Sequence, residues 1–307
     1  MTTLCIDLGG TSAKLGVYDA GRALSSARIP VSGHPVDLET IRLAAGDLRA
    51  TVDAVIDQVA VAVPGIVDQA SGTLVAAHGK YTYALGMDLR SWAAQVFDVP
   101  ALIENDARAA LFGEVAFGVA QGHTDAVLVM LGTGIGTAAI MDGRLIRGAH
   151  DHAGVLGGHV TVDIDGPLCN CGNVGCAEAV ASTWALERAI REHPEFATSD
   201  AWHRLLENGS VGILDLMSAD DDIARDVLQR FVRIWGAAAV SLCHAYDPDV
   251  VVVTGGVLRT PVHVLPALTS YINTHLWSSF PRPRMLLPEN PEHSVLLGLS
   301  ALAESNR

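Results

Sequence analysis

The chain has 307 residues, of which 50% are hydrophobic and only 5% aromatic, and its formal net charge at pH 7 is −14. An interior of mainly aliphatic side chains is typical of sheets covered by helices, so the composition favours an α/β fold with one large or two modest domains. The acidic balance argues against nucleic-acid binding, which needs clustered Lys and Arg.

No export or membrane signal stands out in the sequence. Asp7 already lies within a strand-like run, which leaves no room for a charged region followed by an apolar signal core. No apolar run approaches the roughly 20 residues that a membrane helix needs. We therefore expect a cytoplasmic protein without a membrane partner.

The first half of the chain predicts an antiparallel opening followed by alternating helices and strands. Apolar runs between turn residues predict strands, and apolar residues at helical spacing predict helices. In chain order we expect strands at 4–7, 14–18 and 27–31, a helix at 38–52, a strand at 59–63, a helix at 88–97, a strand at 101–103 and a helix at 107–117.

After residue 124 the pattern of the first fifteen residues returns. Strands at 126–131 and 137–141 flank a second glycine-rich turn, so we predict two halves that are structural duplicates in pattern rather than in residues. The remaining predictions are a helix near 177–191, short helices, a long helix at 222–244, a strand at 250–253, a helix after Pro261 and a final helix at 295–304.

Each half opens with a glycine-containing turn suited to phosphate binding. The turns are Asp7-Leu8-Gly9-Gly10-Thr11 and Leu131-Gly132-Thr133-Gly134-Ile135-Gly136. Glycines let backbone N–H groups approach phosphate oxygens, and an Asp at a strand end can hold Mg²⁺ through water. Either turn alone is compatible with an ordinary hairpin, but the pair favours a nucleotide held between two domains. A Rossmann site is disfavoured, because it needs a helix where 137–141 predicts a strand.

The Glu104-Asn105-Asp106 segment lies between a predicted strand and a predicted helix. Asn105 or Asp106 could simply cap that helix. A carboxylate at the carboxyl end of a strand, beside an amide that can bind a polyol, is also what a base that activates a hydroxyl needs.

His159, Cys169, Cys171 and Cys176 form an H-x9-C-x-C-x4-C array. One imidazole and three thiolates match a closed tetrahedral zinc site, which contributes folding energy rather than chemistry. A redox pair is less plausible, because the spacing is C-x-C and not C-x-x-C. Cys5 and Cys243 lie in apolar runs and are predicted to be buried in the core.

Taken in order, the two turns, the Glu104-Asn105-Asp106 segment and the His/Cys array resemble the ROK family of sugar kinases and related repressors, essentially end to end. The resemblance implies a two-domain actin-like (ribonuclease-H-like) α/β ATPase fold with ATP in an inter-domain cleft. It implies a smaller N-terminal domain of residues 1–117 plus 294–307, to which the last helix returns, and a larger zinc-bearing domain of residues 118–293.

The resemblance also implies roles for individual residues. Asp106 is the expected catalytic base, and the residues expected to bind the sugar are Gly65, Asn105, Asp106, His159 and Glu178. The residues expected to bind ATP, with its Mg²⁺, are Asp7, Gly9, Gly10, Thr11, Lys14, Thr133, Gly134, Gly255 and Gly256. The expected ligands of a structural Zn²⁺ are His159, Cys169, Cys171 and Cys176.

Three departures from the family pattern bear on the choice of sugar. Family kinases acting on glucose-like sugars usually carry Glu three residues before the motif His, whereas this chain reads Val155-Leu156-Gly157-Gly158-His159. The segment 78–83 lacks the Asn-Leu pattern of the loop that closes over the sugar. Arg108 stands where a small or amide residue is common.

We therefore expect ATP-dependent phosphorylation of a monosaccharide, at the 6-hydroxyl of a hexose or N-acetylhexosamine, by a homodimer or homotetramer. Two alternatives stay open within the same family. One is a sugar-sensing transcriptional regulator, which usually carries a helix-turn-helix ahead of the first turn, and the other is a catalytically weakened homologue.

Overall fold

The computed structural model of the protein describes residues 1–77, 81–209 and 211–305. His78, Gly79 and Lys80, which belong to the 78–83 segment discussed above, lie outside the described residues. By Cα packing the chain divides into one unit of Met1–Leu128, Ala138–Val155 and Leu286–Arg307 and a second of Val129–Thr137 and Leu156–Met285. The domain boundaries expected from the sequence stay a prediction, and they differ in assigning 118–128, 138–155 and 286–293 to the larger domain.

The strands follow the predicted order, with short additions. They are β1 (Thr2–Leu8), β2 (Ser12–Asp19), β3 (Arg22–Pro30), β4 (Gln58–Val63), β5 (Ile66–Asp68), β6 (Thr73–Ala76), β7 (Ala101–Asn105), β8 (Ala126–Leu131), β9 (Ile135–Met141), β10 (Arg144–Leu145), β11 (Val250–Thr254) and β12 (Arg284–Leu286).

The helices are α1 (Val36–Ala50), α2 (Leu89–Phe97), α3 (Asp106–Ala116), α4 (Ala177–Ala181), α5 (Leu186–Arg191), α6 (Asp200–Glu207), α7 (Ile213–Ser218), α8 (Asp222–Tyr246), α9 (Leu265–His275) and α10 (Ser294–Ser305). Among the described residues, no helix combines the length and the apolar character needed to cross a bilayer.

Two five-stranded sheets share one strand order. The first has the order β3-β2-β1-β4-β7 and the second the order β10-β9-β8-β11-β12. When the strands of each sheet are numbered along the chain, both sheets have the order third, second, first, fourth, fifth. In the first sheet, β1 is antiparallel to β2 and parallel to β4, which is parallel to β7. The common order supports the predicted duplication of the two halves.

The single helix predicted near 177–191 is wrong, because the chain bends between α4 and α5 at Ser182. The Thr183 N–H donates to the Gly132 carbonyl (3.2 Å), and the Trp235 indole donates to the Ala181 carbonyl (2.6 Å). These tertiary hydrogen bonds draw the backbone out of the helix, and they outweigh a local helical preference that is itself small.

Close packing of α10 on α3 fixes the position of the segment that carries Asp106. Each helix presents a glycine at the contact: a Cβ on Gly298 would lie 1.7 Å from the Ala109 carbonyl oxygen, and a Cβ on Gly113 would lie 2.5 Å from the Gly298 nitrogen. The Ser294 hydroxyl donates to the buried Glu114 carboxylate at 2.5 Å. The last helix therefore packs within the unit that holds the N-terminal sheet.

Gly298→Ala is expected to destabilise the protein by about 1–3 kcal/mol or more, since the added methyl group meets rigid backbone. Gly46→Ala is the matched control, because Gly46 is an exposed helical glycine whose added Cβ meets nothing within 4 Å; that change should stabilise by roughly 0.5–1 kcal/mol. Chemical denaturation of both variants measures the difference. Equal stability of the two would contradict the helix contact.

Candidate active site

Polar groups gather at the carboxyl edge of the first sheet. Because β1, β4 and β7 are parallel neighbours, the residues at their ends meet at one edge. Asp7 comes from β1, Gly65 follows β4, and Asn105 and Asp106 join β7 to α3. The structure thus brings together four of the residues that the sequence singled out.

Asn105 organises this edge. Its Oδ1 accepts from the Arg108 N–H (3.1 Å) and caps α3, while its Nδ2 donates to the Gly65 carbonyl (3.0 Å) and to Asp106 Oδ1 (3.1 Å). Asp106 Oδ1 also accepts from the Ala107 N–H at 2.8 Å. The cap is therefore Asn105, and the Asp106 carboxylate is held by donors without serving as that cap.

Loss of hydration and, to a smaller extent, the negative charge of Asp7 together raise the pKa of Asp106 to about 7, against the lowering effect of the Ala107 N–H and the Asn105 amide. Burial also raises the pKa of Asp7, although the Lys14 ammonium, 3.5 Å away, and Arg28 oppose that shift. A carboxyl that titrates near neutrality is suited to accept a proton at physiological pH.

The first glycine turn is held in shape beside Asp7. A Cβ on Gly9 would lie 2.6 Å from the Ser12 carbonyl oxygen, so only glycine fits that position without a shift of the backbone. The buried Tyr81 donates its hydroxyl to the Gly9 carbonyl at 3.0 Å. Gly10 and Thr11 are exposed, which leaves their backbone accessible to a ligand.

The second glycine turn has corresponding supports in its own unit. The Gly132 N–H donates to the Gly134 carbonyl (3.0 Å), and Thr133 is exposed. Gly255, with φ of 101°, packs so closely that a Cβ would lie 2.2 Å from the Leu131 carbonyl oxygen. The turn at 132–134 and the Gly255-Gly256 pair, expected to bind nucleotide, therefore lie side by side.

Glu178 also belongs to this arrangement. Its Oε2 accepts from the Ile135 N–H at 2.8 Å, and the absence of a side chain at Gly134 makes room for the carboxylate. The structure thus places Glu178, expected to bind sugar, against the phosphate-type turn. The sequence contained no signal for this contact, because the two residues are far apart along the chain.

The four predicted metal ligands form one cluster, in which the ligand atoms all lie within 4.8 Å of one another. The His159 Nδ1 to Cys169 Sγ distance is 3.5 Å, and the Cys171 Sγ to Cys176 Sγ distance is 3.7 Å. Tetrahedral zinc, with Zn–S near 2.3 Å and Zn–N near 2.0–2.1 Å, separates its ligand atoms by about 3.5–3.8 Å. The donor set and its spacing therefore fit zinc.

Sequence reasoning missed several residues that support the site. Tyr81, Arg147 and Gln69 were not singled out, although Arg147 forms an ion pair with the buried Glu104 at 2.5 Å and the Gln69 side chain donates to the Ile103 carbonyl at 3.0 Å. A buried Glu at a strand end was the one available signal, since such a carboxylate requires a partner.

Comparison with known proteins agrees with this geometry. The family model described as "ROK family" matches residues 3–306. The chain belongs to the ROK family. The solved structure of a ROK hexokinase from Thermus thermophilus covers 100% of both chains at 28% identity with a TM-score of 0.82. A ROK glucokinase from Streptomyces griseus, solved with glucose and AMPPNP, covers 99% of this chain and 100% of its own at 28% identity, with a TM-score of 0.83. These neighbours confirm the expected two-domain actin-like ATPase fold.

Curated relatives include both kinases and repressors. A glucokinase from Thermotoga maritima is 29% identical over 90% of this chain and 88% of its own. An N-acetylmannosamine kinase from Escherichia fergusonii is 31% identical over 84% of each. The xylose repressor of Bacillus spizizenii is 26% identical over 80% of this chain, which spans only 60% of that relative's length.

We predict that the purified protein contains about one zinc per chain, the number that one set of four ligands holds. Cys171→Ser should lose the metal and lower the melting temperature, because the exposed Cys171 contributes a ligand and little packing. Cys243→Ser is the control: that cysteine is buried in α8, and the variant should keep its zinc. Elemental analysis and thermal melts check both, and a metal-free, fully stable wild type would contradict the zinc assignment.

Proposed function

We propose that this member of the ROK family is an ATP-dependent sugar kinase whose catalytic base is Asp106. The observation that carries the proposal is the Asp106 carboxylate at the carboxyl edge of the first sheet, with its pKa raised to about 7 beside the Asp7 carboxylate. The kinase relatives, which this chain covers over more than four fifths of their length, support the same class of reaction.

In this proposal Asp106 accepts the proton of a sugar hydroxyl as the hydroxyl oxygen attacks the γ-phosphorus of ATP. A new O–P bond forms, the bond between the γ-phosphorus and the bridging oxygen breaks, and ADP leaves with the electron pair. Phosphoryl transfer depends mainly on positioning and charge stabilisation. General-base assistance contributes roughly 10²–10⁴-fold.

The nucleotide phosphates are assigned to the backbone of the two glycine turns. In the first unit these residues are Gly9, Gly10 and Thr11, with Lys14 as a nearby cation, and in the second they are Thr133 and Gly134, with Gly255 and Gly256 for the adenosine. Mg²⁺, which prefers oxygen ligands and bound water, would be held near the Asp7 carboxylate and would neutralise phosphate charge.

The sugar is assigned to Asn105, Asp106, Gly65, Glu178 and His159. The Asn105 amide is already directed by Gly65 and Asp106. His159 points its Nδ1 at the metal cluster, which leaves its other ring nitrogen for a hydroxyl. One oxygen of Glu178 is taken by Ile135, which leaves the second oxygen for the substrate.

The substrate class we propose is a hexose or N-acetylhexosamine, phosphorylated at the 6-hydroxyl. The missing carboxylate before His159 removes an acceptor worth about 1–3 kcal/mol of discrimination per hydroxyl. Such a loss changes the preferred sugar without removing the machinery of phosphoryl transfer. We also propose, from the family resemblance, a cytoplasmic homodimer or homotetramer.

A sugar-sensing transcriptional regulator is the second candidate, and the similarity to xylose repressors favours it. A DNA shift assay with and without sugar distinguishes it from a kinase. A weakened homologue without turnover is distinguished by the sugar screen described next.

We expect ADP release with at least one of glucose, mannose, fructose, allose, N-acetylglucosamine and N-acetylmannosamine. With that sugar, Asp106→Asn should lower kcat about 10²–10⁴-fold, because the base is lost, while KM for ATP stays within about threefold. Asp98→Asn is the matched control, since Asp98 is exposed at the end of α2 in a left-handed conformation that Asn also adopts. Wild-type kcat in Asp106→Asn would refute the base assignment.

The pH dependence follows from the pKa of about 7 for Asp106. Only the deprotonated carboxylate accepts a proton, so kcat/KM should fall about tenfold per pH unit below pH 7. A profile that stays flat down to pH 5 would contradict this assignment.

A stability measurement without substrate checks the same titration. The folded-state pKa of Asp106 lies above the ordinary value of 3.8. The free energy of unfolding should therefore fall as the pH rises from about 4 to 7, because the carboxyl ionises more easily in the unfolded chain, and it should stay reduced above pH 7. Asp106→Asn escapes this loss. The variant's gain in unfolding free energy should therefore be larger at pH 8 than at pH 5.

A further inference from the structure

We propose that Arg108 is a positioning residue that ties the loop of residues 148–154, called here the 148–154 loop, to the segment carrying Asn105 and Asp106, so that sugar affinity depends on it. The inference rests on the proposed kinase function for its consequence, but its structural part does not. No step of the proposed reaction uses Arg108.

Arg108 is a charged side chain placed entirely inside the first unit, with 0% of its surface exposed. Its Nη2 donates to two backbone carbonyls of the 148–154 loop, those of Asp151 (2.9 Å) and Ala153 (2.8 Å). Burying a guanidinium is costly unless its donors find acceptors, and Nη2 carries two N–H groups that can each donate to one carbonyl. The loop backbone supplies those acceptors.

The other side of Arg108 faces the buried Glu104, with Nη1 3.8 Å from Oε1. The same Oε1 accepts from the Asn105 N–H at 2.8 Å, and Arg147 binds the second oxygen of Glu104. Glu104 is therefore the link through which Arg108 reaches the backbone of Asn105, immediately before the proposed base.

The 148–154 loop has a conformation that needs such support. Asp151 adopts φ of 58°, in the left-handed region, and Gly148 and Gly154 have φ of 71° and 82°. Non-glycine residues keep that conformation where surrounding contacts impose it. At Asp151 the contacts include Arg108 on the carbonyl, the Gln69 N–H on Oδ2 (2.9 Å) and Arg147, whose Nη1 lies 3.9 Å from Oδ1.

The position of the loop in the chain explains why we expect sugar affinity to depend on Arg108. Arg108 connects the loop to Asn105, and after the loop the chain runs through Val155 to His159. Residues proposed to bind the sugar therefore lie at both ends of this connection. The Gly9–Thr11 turn is instead supported by Tyr81. Loosening the loop should therefore weaken sugar binding far more than ATP binding.

Arg108→Lys tests the tether with the charge kept. Lysine keeps the charge but has one terminal nitrogen, so it cannot both face Glu104, as Nη1 does, and donate to the two loop carbonyls, as Nη2 does. The matched control is Arg147→Lys. It also replaces a guanidinium beside Glu104 and keeps a cation near Asp151, whose Oδ1 lies 3.9 Å from Arg147 Nη1, but it leaves the two carbonyl contacts of Arg108 in place. If Arg108→Lys fails to fold, the double variant Glu104→Gln with Arg108→Met, which removes one charge of each sign, replaces it in the same test.

Hydrogen–deuterium exchange of the whole protein is the direct measurement. We expect exchange in peptides covering 147–155 to rise about tenfold or more in Arg108→Lys, as a local opening without global unfolding. Peptides from the second unit and the same peptides in Arg147→Lys should stay within about threefold of wild type. Unchanged loop exchange in Arg108→Lys, a uniform rise along the chain, or an equal rise in Arg147→Lys would overturn the tether.

Kinetics test the consequence with whichever sugar the ADP-release screen identifies. In Arg108→Lys, KM for the sugar should rise about tenfold while KM for ATP stays within about threefold. Equal rises in both constants would assign Arg108 a general structural role and overturn the inference. Should wild type phosphorylate none of the sugars, the proposed function fails, and the exchange comparison still decides whether Arg108 tethers the loop.

Discussion

Two carboxylates crowded at one edge of a parallel sheet are the constraint on which the site depends. Asp7 lies in β1 and Asp106 directly follows β7, two strands that are both neighbours of β4, and the charge of Asp7 raises the cost of ionising Asp106 in surroundings poor in water. The protein offsets part of this cost with Lys14 beside Asp7 and with backbone and amide donors on Asp106. A carboxyl that titrates near neutral pH therefore comes at a cost in stability, which the proposed role of Asp106 as a base would explain.

Within each unit, the rest of the fold holds the predicted site residues of that unit in place. Glycines stand where backbone must approach backbone, at Gly9 on the first turn and at Gly255 beside the second, and Gly298 lets α10 pack onto α3. The His/Cys cluster includes Cys176, which directly precedes α4, and Glu178 of α4 holds the second turn. In each case a contact outside the site sets the position of a group within it.

Much of this could be predicted from the sequence, because its signals are local. Strands at 59–63 and 250–253, the long helix at 222–244 and the two glycine turns follow from runs and spacings of a few residues. The His/Cys array could be recognised because metal ligands close together in sequence also lie close together in space. The ordered set of motifs also indicated the family, which the comparisons confirm.

What could not be predicted depends on contacts between distant residues. The helix break at Ser182 follows from hydrogen bonds to Gly132 and Trp235, and no feature of the sequence at 177–191 predicts these bonds. Strands β5 and β6 are too short to show a period. Arg108 could be noted from the sequence as a departure from the family pattern, but its two carbonyl partners in the 148–154 loop emerge only from the fold.

A crystal structure with a phosphorylatable sugar and a non-hydrolysable ATP analogue tests the central claim most directly. The account predicts an Asp106 carboxylate oxygen about 2.6–3.2 Å from the reacting hydroxyl oxygen, with that oxygen about 3–3.5 Å from the γ-phosphorus and in line with the bond to be broken. A complex in which sugar and nucleotide are bound but Asp106 contacts neither the hydroxyl nor a water bridging to it would contradict the account.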